Sequence, residues 1–120
     1  MGKFQEEAFD LIAGHLKALA DPLRLRILDQ IREEPHYVKD IVAAVGAAQP
    51  TVSKHLGILR RAGIVDTERN GTLVRYRIRD ERLCDLCDLL METVVNRIQR
   101  DKSAFEDDQQ PFRRREKVEA

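Results

Sequence analysis

The sequence lacks the features that mark membrane proteins, exported proteins and most enzymes. None of its 120 residues form an apolar segment long enough to span a membrane, and its first residues lack the cationic and then apolar pattern of an export signal. It has no strained nucleophile turn, no carboxylate pair and no glycine loop for phosphate, and His36 and His55 have no evident catalytic companions. We therefore expect a cytoplasmic protein that is not an enzyme and does not bind a membrane.

The chain also lacks an excess of charge of either sign, since 21 lysines and arginines balance 21 acidic residues. This balance hides an uneven distribution. Residues 47–79 contain seven cations against two anions, Asp66 and Glu68, so the segment has a local net charge of +5. A patch of this kind attracts phosphate and predicts salt-dependent binding to nucleic acid. The alternative is an ordinary solvated face.

The segment from Gln49 to Gly63 has the pattern of an amphipathic helix. We predict Pro50 at its first helical position and Gly63 as the left-handed residue that follows its basic last turn. At about 100° per residue, the apolar face consists of Val52, Leu56 and Leu59, while the opposite face carries Lys54, Gly57 and Arg61, with Thr51 and Ser53 on the flanks. Hydroxyls and cations can donate to base edges and phosphates, and a major groove admits a helix.

The flanking segments predict a winged helix-turn-helix, mainly α-helical with a β-hairpin wing. Residues 38–45 have helical spacing and end at Gly46, which gives two short helices joined by a tight turn. Residues 64–69 and 72–78 alternate like strands on either side of Asn70-Gly71, a strong hairpin signal. We predict that the helix and wing contact double-stranded DNA through nine residues: Gln49, Pro50, Thr51, Ser53, Lys54, His55, Arg61, Arg69 and Arg75. His55 differs from the other eight residues, because a histidine at this position could either contact a phosphate or pack between helices.

Four motifs together resemble the ArsR/SmtB family of dimeric winged-helix repressors. They are the run from Leu16 to Leu28, Gln49 to Leu56, Leu59 to Val65, and Arg75-Tyr76 at the end of the wing, and the resemblance covers about residues 8 to 98. It implies a homodimeric repressor that reads a pseudo-palindromic operator. Two positions depart from the family pattern: Ala47-Ala48 leaves Gln49 as a weak N-cap, and Tyr37 stands where Ser or Thr would start the preceding helix better.

The two ends of the predicted domain are amphipathic helices. A helix from Asp80 to about Arg100 would be about 30 Å long and would carry an apolar stripe too large for the periphery of a monomer. In the family, the first and last helices pair across a two-fold axis, so we expect residues 1–100 to bind DNA and to dimerise. The alternative is that both helices pack only on their own chain. Residues 101–120 are charged and aperiodic, and we expect a flexible tail.

Cys84 and Cys87, the only two cysteines, lie three residues apart in the predicted last helix. Residues at this spacing share a face, with Cβ atoms about 5 to 6 Å apart, so two thiolates can hold one soft ion. The alternatives are two small apolar fillers in an interface, or a sensor of oxidant or reactive sulfur. A disulfide between them would constrain little, because both lie on one helix.

The resemblance also indicates where a signal is read in this family. The cysteine-rich site in the helix before the recognition helix is missing here, and so is the zinc site of the last helix, because no histidine occurs between Asp80 and Arg100. We expect no obligatory cofactor, and a thiophilic inducer such as arsenite or antimonite at Cys84 and Cys87. Arsenite prefers three sulfurs, so a third ligand would come from a partner's cysteine or a small thiol; a harder ion could use His15, Asp85 or Asp88.

One further class remains open on the sequence alone. A winged-helix surface can also bind another protein. Salt distinguishes the two cases, because phosphate contacts weaken steeply with salt and an apolar interface does not.

Overall fold

The computed structural model describes residues 5–109 of the chain, with side chains for residues 5–103. Over this range the chain forms five helices and three short strands. In chain order they are α1 (Glu6–Leu19), α2 (Pro22–Ile31), β1 (His36–Tyr37), α3 (Val38–Val45), α4 (Gln49–Arg61), β2 (Val65–Asn70), β3 (Leu73–Ile78) and α5 (Arg82–Gln109). The mainly helical class and the hairpin are confirmed. No helix within residues 5–109 has the length and apolar character needed to cross a membrane.

The chain divides into two units, one ending at Glu81 and the other beginning at Arg82. The first unit contains α1 to β3 and has the hydrophobic core. Its largest fully buried side chains come from α2, α3, α4, β2 and the link between α4 and β2, and they are Ile27, Ile31, Ile41, Val52, Leu56, Leu59, Ile64 and Val65. The predicted apolar face of α4 is therefore buried as a whole.

The start of α2 shows how the sequence sets a helix boundary. Asp21 is the N-cap, and its Oδ2 accepts hydrogen bonds from the backbone N–H groups of Leu23 at 2.9 Å and Arg24 at 3.1 Å. Pro22 occupies the first helical position, where no backbone donor is needed. The bond from the Arg24 N–H is the main cause that holds the pKa of the Asp21 carboxyl below its usual value of 3.8. Asp21 therefore caps the helix as an anion.

The sheet contains one strand that the sequence did not reveal. The strand order is β1-β3-β2, and both pairings are antiparallel. The two residues of β1, His36 and Tyr37, pair with Tyr76 and Arg75 of β3. Because Tyr37 also precedes the first residue of α3, the wing is tied by main-chain bonds to the start of the helix-turn-helix.

Three predicted boundaries differ from the structure. Helix α4 begins at Gln49, so that Pro50 is its second residue. The N-cap is Ala48, whose methyl side chain cannot accept a capping hydrogen bond. The hairpin loop is Gly71-Thr72, since Asn70 pairs with Leu73; Gly71 at φ 66° is its first residue, as in a type II′ turn. Helix α5 continues to Gln109 rather than ending near Arg100, so residues 101–109 are helical, and residues 110–120 of the predicted tail lie outside the described part. That the tail is flexible stays a prediction.

Candidate nucleic-acid interface

The turn between α3 and α4 is formed by a glycine in the left-handed region. Gly46 has φ 68° and ψ 27°, and its backbone N–H donates to the carbonyl of Val42 at 3.0 Å. A β-carbon is disfavoured in this conformation, which explains the glycine. Tyr37 makes no side-chain cap at the start of α3, as the sequence suggested. Helices α3 and α4 thus form the predicted helix-turn-helix.

The end of α4 is fixed by a second left-handed glycine. Gly63 has φ 76°, its N–H donates to the carbonyl of Arg60, and the N–H of Ile64 donates to the carbonyl of Leu59, both at 3.0 Å. These two bonds form a Schellman motif, which satisfies the last carbonyls of the helix. The chain then enters β2 directly, so the wing begins at the end of α4.

The outer face of α4 is polar and exposed. Six of the residues predicted to contact DNA on this helix are exposed, namely Gln49, Pro50, Thr51, Ser53, Lys54 and Arg61. Arg60, which lies beside Arg61 in the last turn, is exposed too, and in the described part of the chain neither these two arginines nor Lys54 takes part in an ion pair. Position 57 has no side chain, and a β-carbon there would meet the Arg61 guanidinium nitrogen at 3.2 Å. The helix therefore offers cations and hydroxyls to one side, and Gly57 leaves room for the Arg61 guanidinium over the backbone.

The cations of the wing are mostly paired with the two acids of β2. Arg75 Nη2 lies 2.9 Å from Glu68 Oε2, and Arg77 Nε lies 3.0 Å from Glu68 Oε1. Arg79 donates two bonds to Asp66, at 2.9 and 2.6 Å. The bond from Arg79 is the main cause that lowers the pKa of the Asp66 carboxyl, and Asp66 in turn raises the pKa of Arg79. The two acids already counted in the local charge of +5 therefore lie against three of the wing arginines, Arg75, Arg77 and Arg79.

Arg69 is the wing arginine whose charge remains available to bind phosphate. It is exposed near the hairpin loop, and in the described part of the chain it has no ion-pair partner. Arg75, in contrast, is held by Glu68 and lies over the ring of Tyr37, with 5.9 Å between the guanidinium carbon and the ring centroid. The Tyr37 hydroxyl also accepts a hydrogen bond of 2.9 Å from Asn70 Nδ2. Arg75 and Tyr37 thus fasten the wing to the base of α3.

His55 does not share the exposed face of α4. Its side chain is only 16% exposed, and its Nδ1 lies 3.0 Å from Arg24 Nη1 and 3.9 Å from Asp21 Oδ2. The structure puts His55 in contact with Arg24 of α2, and its contact with DNA stays a prediction. Sequence reasoning missed Arg24, because the contact joins positions 31 residues apart.

Cys84 and Cys87 both lie in the first turns of α5, and neither is in a disulfide. Their spacing puts them on one face, at the N-terminal end of the apolar stripe formed by Leu86, Leu90 and Val94. Within residues 5–103 no group of three or more His, Cys, Asp or Glu side chains could hold a metal ion. Of the harder ligands suggested by the sequence, Asp85 and Asp88 lie on α5 beside the cysteines, and His15 lies on α1.

A helix-turn-helix with an exposed polar second helix, followed at once by a basic hairpin, defines a winged helix-turn-helix protein. Residues 21–67 match the family model described as bacterial regulatory protein, arsR family. The chain is similar to the HTH-type transcriptional repressor SmtB of Mycobacterium tuberculosis, with 42% identity over 80 residues, which is 67% of this chain and 59% of that protein. It is 39% identical over 77 residues to a probable mercury resistance operon repressor of Streptomyces lividans, covering 64% of this chain and 62% of the relative.

Among solved structures, the chain is similar to the homodimeric winged helix-turn-helix DNA-binding domain of a Mycobacterium bovis protein. The TM-score is 0.72 at 32% identity, and the match covers 82% of this chain and 94% of that one. The chain thus belongs to the arsR family of bacterial regulatory proteins. The chain spans about three fifths of the length of each of these two relatives, and both are named as repressors, which agrees with the prediction that the chain is not an enzyme.

Proposed function

We propose that this protein is a homodimeric transcriptional repressor that binds a pseudo-palindromic operator through α4 and the wing. The observation that carries this proposal is the division of α4 into a fully buried apolar face and an exposed face of hydroxyls and unpaired cations. A helix of this kind can enter a major groove, where Lys54, Arg61 and Arg69 would meet phosphates and Gln49, Thr51 and Ser53 would meet base edges. Because operator DNA lies in the bacterial cytoplasm, we also propose that location.

The exposed apolar side chains of α1 and α5 support the dimer. On α5, Leu89 is 62%, Met91 64% and Ile98 59% exposed, and on α1 Phe9 is 52% exposed. Large apolar surfaces of this kind mark interaction sites. A second copy is the occupant we propose, since the similar Mycobacterium bovis domain is homodimeric. Two copies of α4 about one DNA turn apart would then read two half-sites.

The DNA proposal can be tested without knowing the operator. Duplexes selected from a random pool by the protein would be used in fluorescence anisotropy titrations between about 50 and about 200 mM salt. Each phosphate contact contributes about −0.9 to the slope of log affinity against log salt. We expect a steep slope and a palindromic selected sequence; selection of no common sequence together with a flat slope would contradict the proposal and favour a protein partner.

We further propose that a thiophilic metal or metalloid ion, with arsenite favoured, releases the repressor by binding Cys84 and Cys87. Two thiolates on one helix face suit a soft ion, and the mercury resistance repressor among the relatives supports an ion of this class. Because one chain offers only two sulfurs, the third ligand would come from the second copy or from a small thiol. When bound, the ion would supply bonds that link the thiolates. The cysteines hold it, and a resulting shift of α5 would weaken operator binding, typically by 1 to 3 kcal/mol.

The sensing proposal is tested by titrating the DNA complex with arsenite, antimonite, mercury, cadmium or zinc. We expect at least one soft ion to release the duplex from the wild-type protein and not from the Cys84→Ser, Cys87→Ser variant. The matched control is Thr93→Ser, an equally small change on α5. Release that persists without the two thiols would show that they are not the sensor, and release by oxidant alone would indicate a redox sensor instead.

A further inference from the structure

The guanidinium group of Arg24 joins three helices of the first unit. Its Nε donates to the carbonyl of Ala18 at 2.6 Å and its Nη2 to the carbonyl of Lys17 at 3.3 Å. Both carbonyls belong to the last turn of α1, and that of Lys17 also accepts the backbone N–H of Ala20 at 3.2 Å. The third nitrogen, Nη1, lies 3.0 Å from Nδ1 of His55 on α4. One planar side chain on α2 therefore connects the C-terminal end of α1 with the second helix of the helix-turn-helix.

The direction of the bond to His55 follows from chemistry. A guanidinium group can only donate, so His55 Nδ1 accepts and the ring carries its proton on Nε2. Asp21 lies beside the pair, with its Oδ2 at 3.9 Å from His55 Nδ1, and it also orders the backbone of Arg24 by accepting its N–H. The charge of Arg24 is thus offset by a neighbouring carboxylate.

This contact differs in kind from the packing beneath α4. Val52, Leu56 and Leu59 are completely buried, but apolar packing is not directional, and it tolerates small rotations and shifts of a helix. The forked hydrogen bonds of an arginine hold a fixed geometry. A recognition surface needs its side chains held to about 0.5 Å, which a directional bond on the inner side of the helix can provide.

We propose that Arg24 and His55 are positioning residues for DNA recognition, which set the angle of α4 by bonding it to the end of α1. This proposal rests on the proposed function, since it concerns how α4 meets DNA. Neither side chain touches DNA in this account; they act through Gln49, Lys54 and the other exposed residues of the same helix. Loss of the bond therefore lowers affinity for the selected duplex without removing a phosphate contact.

The test compares four single variants and one double variant on the selected duplex. His55→Phe keeps a ring of similar size and removes the acceptor, whereas His55→Asn keeps an acceptor oxygen close to the place of Nδ1. Arg24→Gln removes the fork and one charge, and Arg26→Gln is its matched control, because Arg26 is an exposed arginine on the same helix. Circular dichroism melting shows whether each variant is folded at the assay temperature.

We expect His55→Phe and Arg24→Gln each to weaken specific binding about tenfold, with His55→Asn recovering most of the loss and Arg26→Gln staying within about twofold of wild type. The salt slope should stay unchanged in all four, and the combined His55→Phe, Arg24→Gln variant should bind no worse than either single change. If Arg24→Gln does not fold, the pair His55→Phe and His55→Asn decides alone.

Three results would overturn the proposal. Folded His55→Phe with wild-type affinity would show that the bond does not position the helix. A salt slope reduced by about 1 per chain in His55→Phe would make His55 a phosphate contact instead. His55→Asn as weak as His55→Phe would assign the loss to ring volume. A wild-type protein that selects no DNA is a different result, because it contradicts the proposed function itself.

Discussion

Two amphipathic helices of this protein, α4 and α5, expose faces of opposite chemical character. In α4 the apolar residues Val52, Leu56 and Leu59 are completely buried, and what remains exposed is polar and cationic. In α5 the exposed residues include Leu89, Leu90 and Val94, with 62%, 53% and 52% of their surface accessible. The exposed face of a helix indicates the chemistry of its partner. By this criterion α4 suits a polyanion and α5 suits a second apolar surface.

The largest contrast between these helices should be in stability. Leu56→Ala removes a completely buried side chain from the core, and we expect it to lower the free energy of unfolding by about 2–5 kcal/mol at any protein concentration. Leu90→Ala is the same deletion on α5, and its effect should depend on the dimer. Urea unfolding at two protein concentrations measures both. A loss for Leu90→Ala that did not vary with concentration would mean that α5 packs only on its own chain.

The next effect concerns assembly. The double substitution Leu90→Asp, Val94→Asp would place two charges in the apolar stripe of α5. We expect the dimer dissociation constant to rise by at least tenfold, since an unpaired charge is costly to bury. Sedimentation velocity measures the change. The control is an aspartate at position 97, which replaces the exposed Arg97, whose side chain is 83% accessible. If the double substitution did not affect the dimer, α5 would not be part of the interface.

A smaller effect should separate the cations of α4 from those of the wing. Lys54→Ala removes an exposed cation without an ion-pair partner in the described residues, so DNA affinity should fall roughly three- to tenfold and the salt slope by about 1 per chain. Arg75→Ala removes a cation that is held by Glu68 and Tyr37, and we expect weaker binding with less change in slope. Anisotropy at several salt concentrations distinguishes them. Equal slopes for both variants would mean that Arg75 leaves Glu68 to meet phosphate.

The smallest effect should be on the stability of the fold at acidic pH. The pKa values of Asp21 and Asp66 are lowered in the folded protein, chiefly by the bonds from the Arg24 N–H and from Arg79. The unfolded chain therefore binds more protons, so their stabilisation is present above the usual pKa of 3.8 and is lost as the pH falls through the lowered values. Urea midpoints between neutral pH and acid should fall less steeply in an Asp21→Asn, Asp66→Asn variant. An identical pH profile would contradict this assignment.

The sequence was sufficient where local patterns determine structure. Gly46 and Gly63 predicted the two helix boundaries, because their left-handed conformations are local, and the spacing of Val52, Leu56 and Leu59 predicted the buried face of α4. The strand β1 has only two residues, too few for a periodic pattern. The observed hairpin loop lies one residue later than predicted, because Asn70 still pairs with Leu73 in the sheet.

The candidate site was predicted less completely than the fold. Exposure of Lys54, Arg61 and Arg69 follows from helix and hairpin geometry, but the roles of His55 and Arg75 depend on partners distant in sequence. Arg24 contacts His55, which lies 31 positions away in the sequence. Tyr37 contacts Arg75 because β1 pairs with β3, and no sequence pattern predicted this pairing. A count of charges could not show that Glu68 and Asp66 hold three of the wing arginines.

We propose above that the exposed face of α4 binds DNA phosphates and bases. The most direct measurement is the slope of log affinity against log salt for the wild-type protein on its selected duplex, repeated with Lys54→Ala. We predict a steep negative slope that becomes less steep by about 1 for each Lys54 removed from the complex. A slope near zero, or the same steep slope in both proteins, would contradict it.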